Sequence, residues 1–352
     1  MEIETGAAVA TTHTTTASAS YPHVVVVPTQ GLCNRLRALA SGYVLAQHWK
    51  TRLFVVWKKE ECCNCEWTDV FRSRFDTVAL EDVSKTSHLY APHVHTSNLL
   101  ASFTDLSAYR YLVVIGGHEF KFPSMSPLAF LHRKIEFYGS LRFSPAVTDR
   151  LDGFVATHGL AEGKVVGVHF RDYVPKFDAA DNYDFATASP LEGFVELVRR
   201  VGLSQPATRF FLSSNTDRAY AALSRALPKE RLLRFSDTDD SRDSARGIVH
   251  AVCDLLALSR CAYLIGTHSS SFSDEACFFR GISKLCVRSS IDATTPMAVY
   301  HCHGFTELWG HQMLLPDVNI LFDIYKEGGA AVSSIAEEEE EKESDVQTVH
   351  DD

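Results

Sequence analysis

No apolar stretch in the 352 residues approaches the roughly 20 that span a bilayer as a helix. None of the six asparagines stands in an Asn-x-Ser/Thr sequon, and nine cysteines is an odd number, so nothing marks a disulfide-built secreted domain. The first twenty residues, ending in TTHTTTASAS, lack both a basic start and an apolar segment and read as disordered rather than as a signal peptide. These absences favour a cytoplasmic chain. The formal charge of −10 belongs to the ends: residues 327–352 hold ten carboxylates against Lys342, a balance of −9, and residues 1–20 add Glu2 and Glu4. The body between them is left near +1, with no net field to gather nucleic acid, so any basic site there has to be local.

With 45% hydrophobic and 22% charged residues the chain is neither a membrane bundle nor wholly disordered, and its length suits two packed units. Four segments follow: a disordered tail over 1–20, a first Rossmann-like domain over 21–150, a second over 151–326, and an acidic disordered tail over 327–352. Apolar β-branched runs alternate with segments of helical period, the pattern of a parallel sheet covered on both faces. Strands are expected at 23–27, 52–57, 111–115, 164–169, 209–213, 231–235, 261–265 and 284–287, with helices over 34–49 and 241–258. The domain break is set near 140–163, where GSLRFSP and HGLAEGK interrupt the pattern.

In open α/β sheets ligands bind beyond the carboxyl ends of the strands, and three turns there carry chemistry. The first, PTQGLCNRLR, follows VVVV: Gly31 permits a tight turn, Asn34 is placed to cap the helix, and the free N–H groups with Arg35 and Arg37 suit an anion. It is not a P-loop, since the Gly-Lys-Ser/Thr ending is missing, and the same residues also serve a plain capped helix with two exposed arginines. The second follows KVVGVHF and holds His169, Arg171 and Asp172; an arginine there can grip a diphosphate and stabilise charge as it leaves, or simply pair with Asp172. The third, after AYLIG, runs Thr267 to Ser273 into a helix: hydroxyls such as Ser269 and Ser270 make another anion cradle, or only a cap. Upstream, Asp254 can accept from a purine's N–H groups. Together the turns point to a nucleotide-diphosphate ligand.

These residues resemble the fucosyltransferase superfamily that includes peptide O-fucosyltransferases, α1,6-fucosyltransferases and the nodulation fucosyltransferases. GLCNRLR is similar to its N-terminal glycine/asparagine loop, VGVHFRD to its His-x-Arg motif, and DLLALSRCAYLIGTHSSSF to its Asp-led helix, strand and Thr-x-Ser-Ser turn, in order over roughly 22–290. The resemblance implies a GT-B fold, an α/β architecture of two Rossmann-like domains facing across a cleft. It also implies a GDP-fucose donor held mainly by the second domain, with no cofactor and no metal. His169 and Asp254 would then contact the guanosine, Arg171 with Ser269 and Ser270 the diphosphate, and Asn34 the diphosphate or the reacting sugar. The acceptor would be a hydroxyl of a glycan or protein.

The sequence also departs from that pattern. Asp172 stands where some members carry a second arginine, and the acidic residue that one branch uses as a base is not found among Thr29, Gln30 or Gly31. On the acceptor side, the segment 170–184 reads as a loop over the cleft with Asp172, Tyr173 and Asp178 in reach, or as an ordinary long connection. Cys62, Cys63 and Cys65 with His301, Cys302 and His303 lack a paired C-x2-C spacing, so ordinary thiols are expected rather than zinc. Asp237-Thr238-Asp239-Asp240 resembles the manganese-holding DxD of GT-A enzymes and is kept as a rival. Two other readings stay open: the same fold using another nucleotide sugar, and a non-catalytic nucleotide- or glycan-binding relative.

Overall fold

The VVVV run of β1 (His23–Pro28) is buried on both faces, as a central parallel strand must be. The structure is a computed structural model that describes residues 21–83, 87–90, 106, 108–120, 125–160, 164–172, 184–289 and 297–302. In the first unit β1 is followed by helix α1 (Leu32–Trp49), β2 (Leu53–Val55), the single turns α2 (Trp67–Val70) and α3 (Leu80–Val83), β3 (Ser87–Tyr90), β4 (Tyr111–Gly116) and α4 (Pro127–Ser140). Its sheet is parallel in the order β2-β1-β4-β3. Helix α1 lies close on the sheet because Gly42 has no side chain: a Cβ there would sit 2.3 Å from Val26 Cγ2.

The second unit opens with α5 (Pro145–His158) and β5 (Val165–Phe170). There follow α6 (Phe185–Ala188), α7 (Leu191–Ser204), β6 (Arg209–Ser214), α8 (Asp217–Ala226), β7 (Leu232–Leu233) and α9 (Ala245–Ser259). The last described elements are β8 (Leu264–Thr267), α10 (Ser271–Phe278), β9 (Lys284–Ser289) and β10 (Met297–Cys302). The six strands run β10-β9-β8-β5-β6-β7, parallel except for the β9–β10 edge. In the second sheet the strand order reverses once, at β5/β8, the switch point where such sheets open a crevice.

One buried apolar cluster runs from Val24, Leu36 and Phe137 of the first unit to Val147, Leu255 and Leu264 of the second, so the units share a continuous core. The boundary anticipated at residue 150 falls inside α5, which packs on α9 through Val147 and Cys253. Three other expectations are corrected. Residues 231–235 give only a two-residue strand, because Arg231 turns in a 3₁₀ helix and donates to the carbonyls of Thr208, Gly202 and Gln205. The strand expected at 261–265 begins at Leu264 and runs to Thr267. Edge strands β3 and β10 were not anticipated, since SHLY and MAVYHC lack the long β-branched runs of the central strands. Both terminal tails lie outside the described residues, and among those described no helix is long and apolar enough to cross a membrane.

Candidate functional site

At the β5/β8 switch point the hydroxyl of Thr267 joins two strands: it accepts from the Arg171 N–H at 2.9 Å and donates to the His169 carbonyl at 3.0 Å. The side chains of His169 and Arg171 therefore leave a fixed strand end, two residues apart and on one side of it. The His169 ring stacks on Phe272 of α10 with centroids 4.9 Å apart. Burial, with Arg171 and Lys284 nearby, pushes its pKa down to about 3, so the imidazole is neutral. The Arg171 guanidinium lies 3.7 Å over the ring of Phe185.

Helix α10 starts at this edge. Ser269 takes a left-handed conformation, φ 54°, and Ser270 is the N-cap residue. Ser270 Oγ is buried and makes no cap bond, and His169 Nδ1 is likewise buried without a hydrogen-bond partner among the described residues. Two unsatisfied polar atoms at one helix start are the mark of a place for a polar ligand, and the N–H groups and dipole of that start favour an anion. One strand over, Ser213, the register partner of His169, donates to Asp254 Oδ2 at 2.8 Å. Asp254 opens into a cleft with Asp240, Thr238, Tyr220, Arg234 and Phe235. Burial pushes the Asp254 carboxyl up to about 7 despite the Ser213 hydrogen bond. A ligand crossing the strand ends would meet, in turn, α10, His169 and Asp254.

The first loop is built differently from the expectation. The left-handed residue is Gln30, φ 67°, while Gly31 is extended at the N-cap, where a Cβ would meet only the Cys62 carbonyl at 3.9 Å. Asn34 does not cap α1; its Nδ2 donates to Gln30 Oε1 at 2.6 Å. Arg35, anticipated beside an anion, is buried and used internally. It donates to the carbonyls of Gln30 and Lys58 and to Glu60, and lies 4.8 Å over Trp57. Gly117, after β4, is glycine by necessity, since a Cβ would lie 2.7 Å from the Thr29 carbonyl and 2.9 Å from Asn34.

Arg37, the other arginine of that loop, reaches across to the second unit. It meets Glu275 Oε1 at 2.7 Å and Asp274 Oδ2 at 3.1 Å, directly after the α10 start. Lys134 bonds Glu119 at 2.5 Å and Glu275 at 3.1 Å, Tyr138 donates to Glu275, and Lys284 binds Asp274. Burial would raise the Glu275 carboxyl, but Lys134, Arg37 and Tyr138 outweigh it and hold it below its ordinary value. No pattern along the chain announces this network, for its members come from five segments: α1, the stretch after β4, α4, α10 and β9.

Asp172, expected on the acceptor side, is drawn instead to the start of α8. Its carboxylate accepts from Thr216 Oγ1 at 3.0 Å and Arg218 at 3.1 Å, and its N–H donates to Asn215 Oδ1 at 2.8 Å. Tyr173 and Asp178 lie outside the described residues. In the acidic turn after β7, Asp237 pairs with Arg246 and Arg150, and Asp239 takes Ser241 N–H and Ser244 Oγ ahead of α9, while Thr238 and Asp240 line the Asp254 cleft. Cys63 and Cys65 are buried and hydrogen-bond to each other. Among the described residues no group of three or more His, Cys, Asp or Glu is placed to hold a metal ion.

No family model and no curated protein matches the sequence. Solved structures do match in fold. NodZ α-1,6-fucosyltransferase co-crystallised with GDP is 16% identical, with a TM-score of 0.53, over 79% of this chain and 98% of that one. NodZ, solved from Bradyrhizobium, also matches in its form soaked with GDP-fucose at 15% identity and TM-score 0.52, over 80% and 99% of the two chains. A variant of Arabidopsis thaliana FUT1 in complex with GDP matches at 11% and 0.53, over 79% and 73%. The fold of this chain is that of these GT-B fucosyltransferases: two α/β units with parallel sheets.

Proposed function

We propose that the protein is an inverting glycosyltransferase that moves fucose from GDP-fucose to a hydroxyl of a glycan or protein acceptor, without a metal. The observation that carries this reading is the row of groups along the second sheet's carboxyl edge: the unsatisfied Ser270 Oγ and His169 Nδ1 beside Arg171 at one end, Asp254 in its cleft at the other. The α10 start and Ser269 suit a diphosphate, and an ionised Asp254 accepts from the N1–H and N2–H groups of guanine, which uracil does not present. The fold shared with NodZ, which was co-crystallised with GDP, supports a guanine-nucleotide donor.

In the reaction the acceptor oxygen attacks C1 of the sugar, the C1–O bond to the diphosphate breaks, and the electron pair leaves with GDP. Arg171 would stabilise the negative charge that collects on the β-phosphate, and Asn34 would orient the sugar from the opposite unit. Neutral His169 serves as a hydrogen-bonding group, not as a counter-ion. Calorimetry of the purified chain against GDP, UDP, CDP and ADP tests the reading: GDP should bind tightest, with UDP weaker by about 1–3 kcal/mol for the unpaired carboxylate. Equal affinities would remove the guanine assignment. GDP binding without turnover of GDP-fucose in a mixed acceptor library would leave a nucleotide-binding relative instead.

A further inference from the structure

Transfer to a hydroxyl needs a group that takes the acceptor's proton, yet Thr29, Gln30 and Gly31 offer none. We infer that Glu60, which the fold brings to this loop from the segment after β2, is the general base of the transfer proposed above, an assignment that rests on that reading.

The Glu60 carboxylate is held by one oxygen only. Oε2 accepts from the Gln30 N–H at 3.1 Å and from Arg35 Nη2 at 2.8 Å, while Oε1 has no hydrogen-bond partner among the described residues. The backbone beneath it is fixed as well, since Glu60 and Cys63 exchange both N–H···O bonds in a tight turn, at 2.9 and 3.3 Å. The result is an oriented carboxylate whose side chain is 36% exposed, although the Arg35 guanidinium behind it is fully buried. A group fixed from behind with one oxygen presented to solvent needs no reorganisation before it accepts a proton.

Its neighbours connect it to the cleft. Gln30, which binds Glu60 through its N–H, takes Asn34 Nδ2 on its side-chain oxygen, so Glu60 is two hydrogen bonds from Asn34. Four residues on, Asn64 donates to the carbonyls of Arg242 and Asp243 in the second unit, at 3.1 and 2.9 Å. On the other side of Asn34, Arg37 crosses to Asp274 and Glu275 at the α10 start. Glu60 is therefore tied to the part of the first unit that makes both crossings to the second, the unit that carries Arg171. Among the described residues, Glu119 is closed in by Lys134, and Asp172 is held by Thr216 and Arg218.

The step balances without further reagents. The acceptor O–H gives its proton to Glu60 Oε1 as its oxygen bonds to C1, GDP leaves with the C1–O electron pair, and Glu60 passes the proton to water.

Glu60→Gln keeps an acceptor oxygen for Gln30 and Arg35 but has no basic carboxylate. The full chain and this variant are compared for melting temperature, GDP affinity, and release of GDP from GDP-fucose with water and with a mixed glycan set as acceptors. The expected result is a folded variant with GDP affinity within about twofold of the parent and release slower by about 10²-fold or more. Unchanged release in the variant overturns the assignment alone, whereas a parent chain that binds GDP but releases none from GDP-fucose overturns the transfer reading and the assignment with it. A parent chain that does not bind GDP overturns the reading on which the assignment rests. If Glu60→Gln fails to fold, Glu60→Asp keeps the charge and withdraws the carboxylate by one methylene. It is expected to lose about tenfold or more in release at unchanged GDP affinity, and full activity in it overturns the base.

Discussion

The Arg171 guanidinium is a planar fork stacked on Phe185, and in the proposed reaction it would grip the leaving diphosphate, whereas a lysine would bring the charge without the plane. Negative charge gathers on the leaving phosphate only as the sugar bond lengthens, so a donor fixed there acts more on the rate than on ground-state binding. Arg171→Lys should slow transfer about 10²–10³-fold, with a smaller loss of GDP affinity and little change in melting temperature. If Arg171 served only as a structural cation, single-turnover rates would stay near normal and stability would fall. Asp254 makes a second prediction, with its sign set by burial. Its folded pKa, pushed up to about 7, exceeds the unfolded value of about 3.9. The stability it contributes is present at and below about pH 4 and is lost as pH rises through about 7. Guanine needs the ionised form, so GDP affinity should strengthen as pH rises towards and through that value, while UDP affinity stays flat. Asp254→Asn should remove the pH dependence and the preference for GDP, and should be more stable than the parent at pH 8, measured by urea unfolding. A flat GDP profile between pH 5.5 and 8 in the parent chain would take the carboxylate out of base recognition.

At the scale of elements, α1 and α10 meet through charge. Glu275 has no exposed side-chain surface and serves Arg37, Lys134 and Tyr138 at once. Such a network is costly to desolvate when complete and more costly when broken, because the remaining ions stay buried. Glu275→Ala should destabilise the chain by about 3–5 kcal/mol in denaturant unfolding, since buried Arg37 and Lys134 each lose a carboxylate, keeping Asp274 and Glu119 respectively, and Tyr138 loses its acceptor. Arg52→Ala, at the exposed pair with Asp76, is the contrast and should cost under about 1 kcal/mol. Similar losses from the two variants would mean that water reaches Glu275.

For the whole molecule, the shared core means that neither unit keeps its apolar face covered when the other unfolds. The described body should therefore melt in one cooperative transition, seen in calorimetry as one peak, and two separated peaks would contradict a common core. GDP at about a hundred times its dissociation constant should stabilise that transition by about 2.7 kcal/mol, equally with and without EDTA. Loss of the GDP effect in EDTA would return the acidic turn at 237–240 to consideration.

Continuous patterns in the chain were enough to determine the two-sheet class, the central strands and the turns worth inspecting. VVVV, YLVVI, VVGVHF and RFFLSS are β-branched or aromatic runs whose burial on both faces follows from their composition, and the hydroxyls after β8 announce a helix start. Tertiary structure decided which charges are ligand-facing and which are structural, because burial and pairing depend on partners remote in sequence. Arg35 and Arg37 look alike in GLCNRLR. One is sealed beneath Gln30 by Glu60, 25 residues away, and the other is spent on Glu275, 238 residues away. Asp172 pairs with Arg218 at the start of α8, and Asn34 binds Gln30 rather than capping the helix, each because the nearest donor or acceptor in space is not the nearest in sequence. Glu60 could be found only in the fold, since ECCNCEW gives no hint that a turn after β2 carries a carboxylate to the loop after β1.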